Sequence, residues 1–196
     1  MTRDLRMALS VALGRPGDAS SDFDLNPDIA LPEGRVLRPA AVLVPVTVTG
    51  KVILTKRSAR LKHHPGQIAF PGGQQDPTDA DATAAALREA EEEIGLPPAL
   101  VEVMGNLPGH ETVTGFAVTP VVGLVREDFV VRAEAGEVDE VFEVPLTHLT
   151  DPARFSVQAR TWQGRRRYYF TVPWGPYYIW GATARMLRAL AERMQG

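Results

Sequence analysis

The chain has 196 residues, 44% apolar and 23% charged, with a formal net charge of −3. That is the size of about one domain, long enough to bury ~70% of its unfolded surface without covalent staples. It contains no cysteine, which excludes a disulfide framework, a cysteine-based zinc site, an iron–sulfur cluster and a thiol nucleophile.

Leu5, Leu9 and Leu13 recur at helical spacing, so residues 1–14 read as a short amphipathic helix that Gly14-Arg-Pro-Gly-Asp18 breaks. Residues 15–35 are rich in Pro, Gly, Asp and Ser and read as a surface arm. The expected division is therefore helix and arm over 1–35 and one domain over 36–196. Residues 40–48 form an apolar, β-branched run, and Thr49-Gly50-Lys51 turns it into a returning strand over 52–57. A loop runs to Pro71. A helix is predicted over 81–94, stopped by Gly95 and Pro97-Pro98. Strands are predicted over 101–107, 116–125, 141–145, 155–162 and 167–173, with Gln163-Gly164 turning the last pair. A final helix is predicted over 178–194, with Ile179, Ala182, Met186, Leu187 and Leu190 as its apolar stripe. Many strands and separated helices imply a mixed sheet covered on its faces, of α/β class. The start of the chain has no secretory pattern, and no apolar run approaches ~18 residues, so a soluble, cytoplasmic protein without membrane contact is expected.

Charge is unevenly distributed. Residues 34–75 hold seven Lys/Arg and no acid, residues 76–151 hold seventeen acids and three Arg, and residues 152–191 hold seven Arg and no acid. The acidic segment contains Arg88-Glu-Ala-Glu-Glu-Glu-Ile-Gly-Leu96. At about 100° per helical residue, Glu89, Glu92 and Glu93 share one face and Glu91 points away. Like charges at these spacings repel, and they lie near a helix C-terminus that disfavours anions. Either the face is simply solvated, or it binds a hard divalent cation through oxygen. Upstream, Phe70-Pro-Gly-Gly73 lets the backbone turn sharply beside a ligand.

Together these segments resemble the Nudix box: Gly, five residues, Glu, seven residues, Arg-Glu, an apolar residue, any residue, Glu-Glu, any residue, Gly, an apolar residue. Arg88, Glu89, Ala90, Glu92, Glu93, Gly95 and Leu96 match its tail. The front departs: taking Gly73 as the glycine puts Asp79 at the acid, with eight residues rather than seven before Arg88. The basic stretch from Leu54 to Gly73 resembles the extra signature of the coenzyme A pyrophosphatase subgroup, as do the lengthened loop Asp76-Pro-Thr-Asp79 and Ile179-Trp-Gly-Ala-Thr-Ala.

The resemblance implies a Nudix-type α/β/α sandwich with a mixed sheet. It also implies a Mg²⁺- or Mn²⁺-dependent diphosphatase acting on coenzyme A, a small nucleotide, with adenosine 3′,5′-bisphosphate and 4′-phosphopantetheine as products. On this reading Glu92 and Glu93 are metal ligands, Glu89 is a ligand or the base, and the Gly72 carbonyl completes the shell. Arg88 pairs with a box carboxylate such as Glu92. Glu137 is favoured over Glu140 as a distant ligand or base. Arg57, Arg60, Lys62, His64, Gln67 and Gly73 contact substrate. His63 and His64 face phosphate or solvent, His110 and His148 are structural, and Arg165–Arg167 are a phosphate contact or a solvated edge. Nucleic acid is not an expected partner, and a homodimer is open. The other readings are a Nudix hydrolase for ADP-ribose, NADH or dinucleoside polyphosphates, and a Nudix-fold module that only binds.

Overall fold

The computed structural model describes residues 2–29, 31, 34–162 and 164–195. Gln163 of the expected hairpin turn lies outside them. Helix α1 spans Thr2–Gly14, and strand β1 is Ser20–Ser21. Strands β2 (Arg38–Thr47) and β3 (Lys51–Arg57) form the expected pair. Two short strands follow, β4 (Ile68–Ala69) and β5 (Gly72–Gln74), and then helix α2 (Ala82–Ile94). Next come β6 (Val101–Asn106), β7 (His110–Glu111), β8 (Phe116–Val125) and β9 (Val138–Pro145). The short α3 (Leu146–Leu149), the hairpin β10 (Ser156–Trp162) with β11 (Arg165–Thr171), and α4 (Gly181–Gln195) complete the chain.

Among the described residues, β1 to β9 make one nine-stranded mixed sheet, with β10 and β11 separate. β8 runs parallel to β2 along ten register pairs, and β3 and β5 are antiparallel to β2. Successive residues of β2 point to opposite faces. Ala41 and Leu43 join Ile53, Val121 and Val125 beneath Ala85, Ala86, Ala90 and Ile94 of α2. Val44 and Val46 join Val52, Leu54 and Val122 beneath Leu9 of α1 and Leu187 and Leu190 of α4. The sheet is thus covered on both faces, in the α/β/α order expected, and its central strands are apolar almost throughout.

Residues 15–29 are stitched onto this core. β1 pairs in parallel with β7. Asn26 is buried; its amide donates to the Tyr168 carbonyl at 2.9 Å and its Oδ1 accepts from the Tyr168 N–H at 2.8 Å. His110 is buried between Ser20 Oγ (2.9 Å) and Asp22 (3.2 Å), and His148 donates to the Pro173 carbonyl at 2.9 Å. Both histidines have structural surroundings. Arg185 of α4 donates to Asp24 of the arm at 3.0 Å. Among the described residues no helix is long and apolar enough to cross a membrane.

Candidate metal and diphosphate site

Helix α2 is placed by its ends. The Asp81 side chain caps the first turn by accepting from the Ala84 N–H at 2.8 Å, and Gly95 closes the helix in the left-handed region at φ 71°. The last carbonyls, normally left without partners, are taken by a crossing loop: Arg132 N–H donates to Ile94 O at 3.0 Å and Glu134 N–H to Glu93 O at 2.9 Å. That loop carries Glu137 to the helix.

The acidic face then splits into unequal environments. Glu93 is 5% exposed. Burial pushes its carboxyl up to about 8, against the pull of Arg57 and of a Gly72 N–H hydrogen bond; Glu89 and Glu137 raise it further. Glu89 is also raised, first by burial and then by Glu92 and Glu137, against the pull of Arg88. Glu92 lies at the exposed rim. Burial and mutual repulsion of carboxylates are the conditions a bound cation relieves.

Arg88 organises this face. Its Nε and Nη2 fork onto the two oxygens of Asp79 at 3.1 and 3.0 Å. Nη1 donates to Glu89 at 3.0 Å and to Glu92 at 2.9 Å, and Nη2 also reaches the Gln74 carbonyl at 3.3 Å. The expected Arg88–Glu92 pair is present, but Asp79 is the bidentate partner. The Arg88 fork holds the Asp79 carboxyl below the usual carboxylate range, with help from the Asp76 N–H. The displaced acid of the lengthened loop thus acts on the arginine from the other side.

Two glycines bring the strand under the helix. Gly72 has φ 157°, and a β-carbon there would lie 2.4 Å from the Ala41 carbonyl oxygen. A β-carbon on Gly73 would lie 2.5 Å from Glu89 Oε1. Gly73 therefore touches Glu89, while Gly72 pairs with β2 and its backbone helps to lower the Glu93 carboxyl.

The basic loop divides too. The β3–β9 register shifts between Lys56 and Arg57, a bulge that re-aims the strand end and sets Arg57 opposite Val138. Ser58 N–H donates to the Glu137 carbonyl at 2.8 Å, and Ala59 N–H to Asp139 Oδ2 at 2.9 Å. These bonds pin the start of the loop beside Glu137. Gln67 returns against Arg57, accepting its N–H at 2.9 Å. Arg60, Lys62, His63 and His64 are exposed on the outer part of the loop, where His64 takes a left-handed backbone at φ 54°. Glu140 is taken up elsewhere, accepting from the Tyr177 hydroxyl. Asp139, Tyr177 and the Asp79 fork were not assigned from sequence. Asp139 has a signal in its place between Glu137 and Glu140, and Asp79 in its place at the acid position of the box, but neither position shows its partner.

The oxygen-only donor set of Glu89, Glu92 and Glu93 fits a hard divalent cation. Among the described residues no group of three or more His, Asp or Glu is already placed to hold a metal ion. Arg88 Nη1 holds Glu89 and Glu92.

Residues 36–169 match the family model of the NUDIX domain. The chain is 46% identical over 156 residues to a protein of Escherichia coli K12 named "Uncharacterized Nudix hydrolase NudL", covering 79% of this chain and 81% of the relative. A protein of the same name from Shigella boydii serotype 18 is 45% identical over the same shares. Among solved structures, the MutT protein from Methanosarcina mazei Go1 superposes with a TM-score of 0.49 at 21% identity, over 60% of this chain and 83% of that one.

Proposed function

The chain belongs to the NUDIX family, and on that premise we propose that it hydrolyses the diphosphate of coenzyme A and its derivatives, giving adenosine 3′,5′-bisphosphate and 4′-phosphopantetheine. It is a Nudix hydrolase. The substrate reading rests on one feature, the stretch from Leu54 to Gly73. Its sequence has the form of the coenzyme A pyrophosphatase signature, and its first turn is bonded to residues 137 and 139 with Arg57 in the field of Glu93.

In this reading Glu89, Glu92, Glu93 and the Gly72 carbonyl hold Mg²⁺ or Mn²⁺. Such an ion neutralises the diphosphate and lowers the pKa of a bound water when it is present. The protein's own residues supply the rest. Arg88, held by Asp79, orients Glu89 and Glu92. Arg57 offers its guanidinium to a phosphate oxygen, and its Nε is buried without a partner. Glu137, which stands within the field of Glu89 and Glu93, receives the proton of the attacking water. Arg60, Lys62 and His64 lie outward, where they meet the more distant phosphates of a longer anion.

The test is product formation from coenzyme A, ADP-ribose, NADH and a dinucleoside polyphosphate with Mg²⁺ and with Mn²⁺. Coenzyme A is expected to be turned over with the highest kcat/KM. Faster turnover of ADP-ribose would overturn the substrate and leave the diphosphatase reading in place.

A further inference from the structure

The second basic segment is not absorbed by the site above. In β10–β11, residues directly opposite share a face, and the register pairs Gln158 with Tyr169, Arg160 with Arg167 and Trp162 with Arg165. On this face the Arg160 guanidinium lies between two indoles, 5.1 Å from the Trp162 ring centre and 4.7 Å from that of Trp180. Tyr169 meets Trp180 edge-on at 5.0 Å, and its hydroxyl lies 3.2 Å from that of Tyr178. Two of these rings are exposed, Trp162 at 45% and Tyr178 at 46%, while Tyr169 and Trp180 are half-buried. Arg167, on the same face, has a buried Nε with no acceptor.

This face abuts the diphosphate site through Trp180. The next residue, Gly181, lies against the Gln67 amide, since a β-carbon there would be 3.7 Å from Nε2. Two residues on, the Thr183 hydroxyl donates to the Ile68 carbonyl at 3.1 Å. The aromatic cluster therefore begins where the basic loop ends.

Resting on the diphosphatase reading, we propose that this face is the base-binding part of the nucleotide subsite: it stacks the base of the substrate's nucleoside half. Indole and phenol rings offer faces to any purine, and stacking on them is sequence-tolerant. An arginine between two indoles can lie flat beside a base while its edge meets phosphate. Arg167 Nε, on the same face, is a buried donor without an acceptor.

The experiment compares AMP with ribose 5-phosphate, which carries the phosphate without the base, by tryptophan fluorescence and calorimetry on the full chain. Neither probe has a diphosphate to cleave, so the readout is independent of catalysis. Wild type is expected to bind AMP about tenfold or more tightly than ribose 5-phosphate. Arg160→Ala and Trp162→Ala are each expected to abolish that advantage. Trp162 stands at the exposed end of the hairpin, so its replacement leaves the core intact even if Arg160→Ala disturbs the strand pair. Equal affinity of wild type for the two probes, or an AMP advantage that survives in Trp162→Ala, overturns the subsite. Either result would leave the metal-dependent reading of Glu89 and Glu93 untouched, because that reading is tested by turnover.

Discussion

Gly73 lacks a side chain where Glu89 has its carboxylate: a β-carbon at Gly73 would stand 2.5 Å from Glu89 Oε1. The neighbouring glycine meets backbone instead, 2.4 Å from the Ala41 oxygen, and at φ 157°. The two positions should therefore fail differently. Gly73→Ala pushes a movable carboxylate away from the site, so the protein should fold normally and lose on the order of 10²-fold in turnover. Gly72→Ala must shift the β2–β5 pairing or strain its own backbone, and should lower stability by about 1–3 kcal/mol. Thermal unfolding and steady-state turnover of both variants check this. A Gly73→Ala enzyme with full activity would remove Glu89 from the chemistry.

Among the described residues, Asp79 reaches the site through Arg88. With its fork removed, Arg88 keeps Glu89, Glu92 and the Gln74 carbonyl as partners but loses its fixed orientation. Asp79→Ala should therefore reduce metal affinity and turnover by about 10–100-fold, the usual effect of removing a support for metal ligands. Titration of activity with Mn²⁺ measures both. An unchanged Mn²⁺ midpoint would show that the fork stabilises only the loop.

These two relationships also show what was legible in the sequence. The helix over 82–94 and its stop at Gly95 are legible because an apolar period and a glycine mark them, whatever lies around them. The strand over 116–125 has the expected bounds because it is apolar on both faces. The sequence does not show which carboxylate each arginine chooses, since that depends on how a loop returns to the helix. Asp79 is nine positions from Arg88 and yet its bidentate partner. The pairing of Ser20–Ser21 with His110–Glu111 is equally silent, being made of backbone hydrogen bonds between short polar segments with no hydrophobic period. The last helix begins at Gly181 rather than at residue 178, because the Ile179 carbonyl accepts from the Val172 N–H and the Thr171 hydroxyl. Ile179 and Trp180 are thereby held extended against β11, and the sequence places them in the helix only because Ile179 fits its apolar stripe.

Burial raises the Glu93 carboxyl from 4.5 to about 8. Between those values the folded metal-free chain holds a proton that the unfolded chain has lost. Glu93 therefore subtracts stability as pH rises from about 4.5 to about 8. A divalent cation must displace that proton. The increase in Tm on adding Mg²⁺ should accordingly be small at pH 6, grow through pH 7 and level off above pH 8. In Glu93→Gln the metal-free protein should lose this part of its pH dependence, and Mg²⁺ should no longer raise Tm. A pH-independent Mg²⁺ shift in wild type would place the cation away from Glu93.

Glu137 and Glu140 lie on the same run of acids but face different groups. Glu137 raises the carboxyls of both Glu89 and Glu93, so it stands within their field. Glu140 accepts from the Tyr177 hydroxyl, and Tyr177 in turn stacks on Phe142 with ring centres 3.6 Å apart. One carboxylate belongs to the acidic cluster and the other to an aromatic clasp. Glu137→Gln should remove a base and a repulsive charge together: turnover should fall by about 10²–10⁴-fold, and the pH range over which Mg²⁺ raises Tm should move down. Glu140→Gln should retain a hydrogen bond to Tyr177 and keep turnover within about threefold of wild type, with its effect confined to stability. The pair of pH–rate profiles distinguishes the two residues. If Glu140→Gln abolished turnover while Glu137→Gln retained it, the base would lie on β9 and not on the loop that crosses the end of α2.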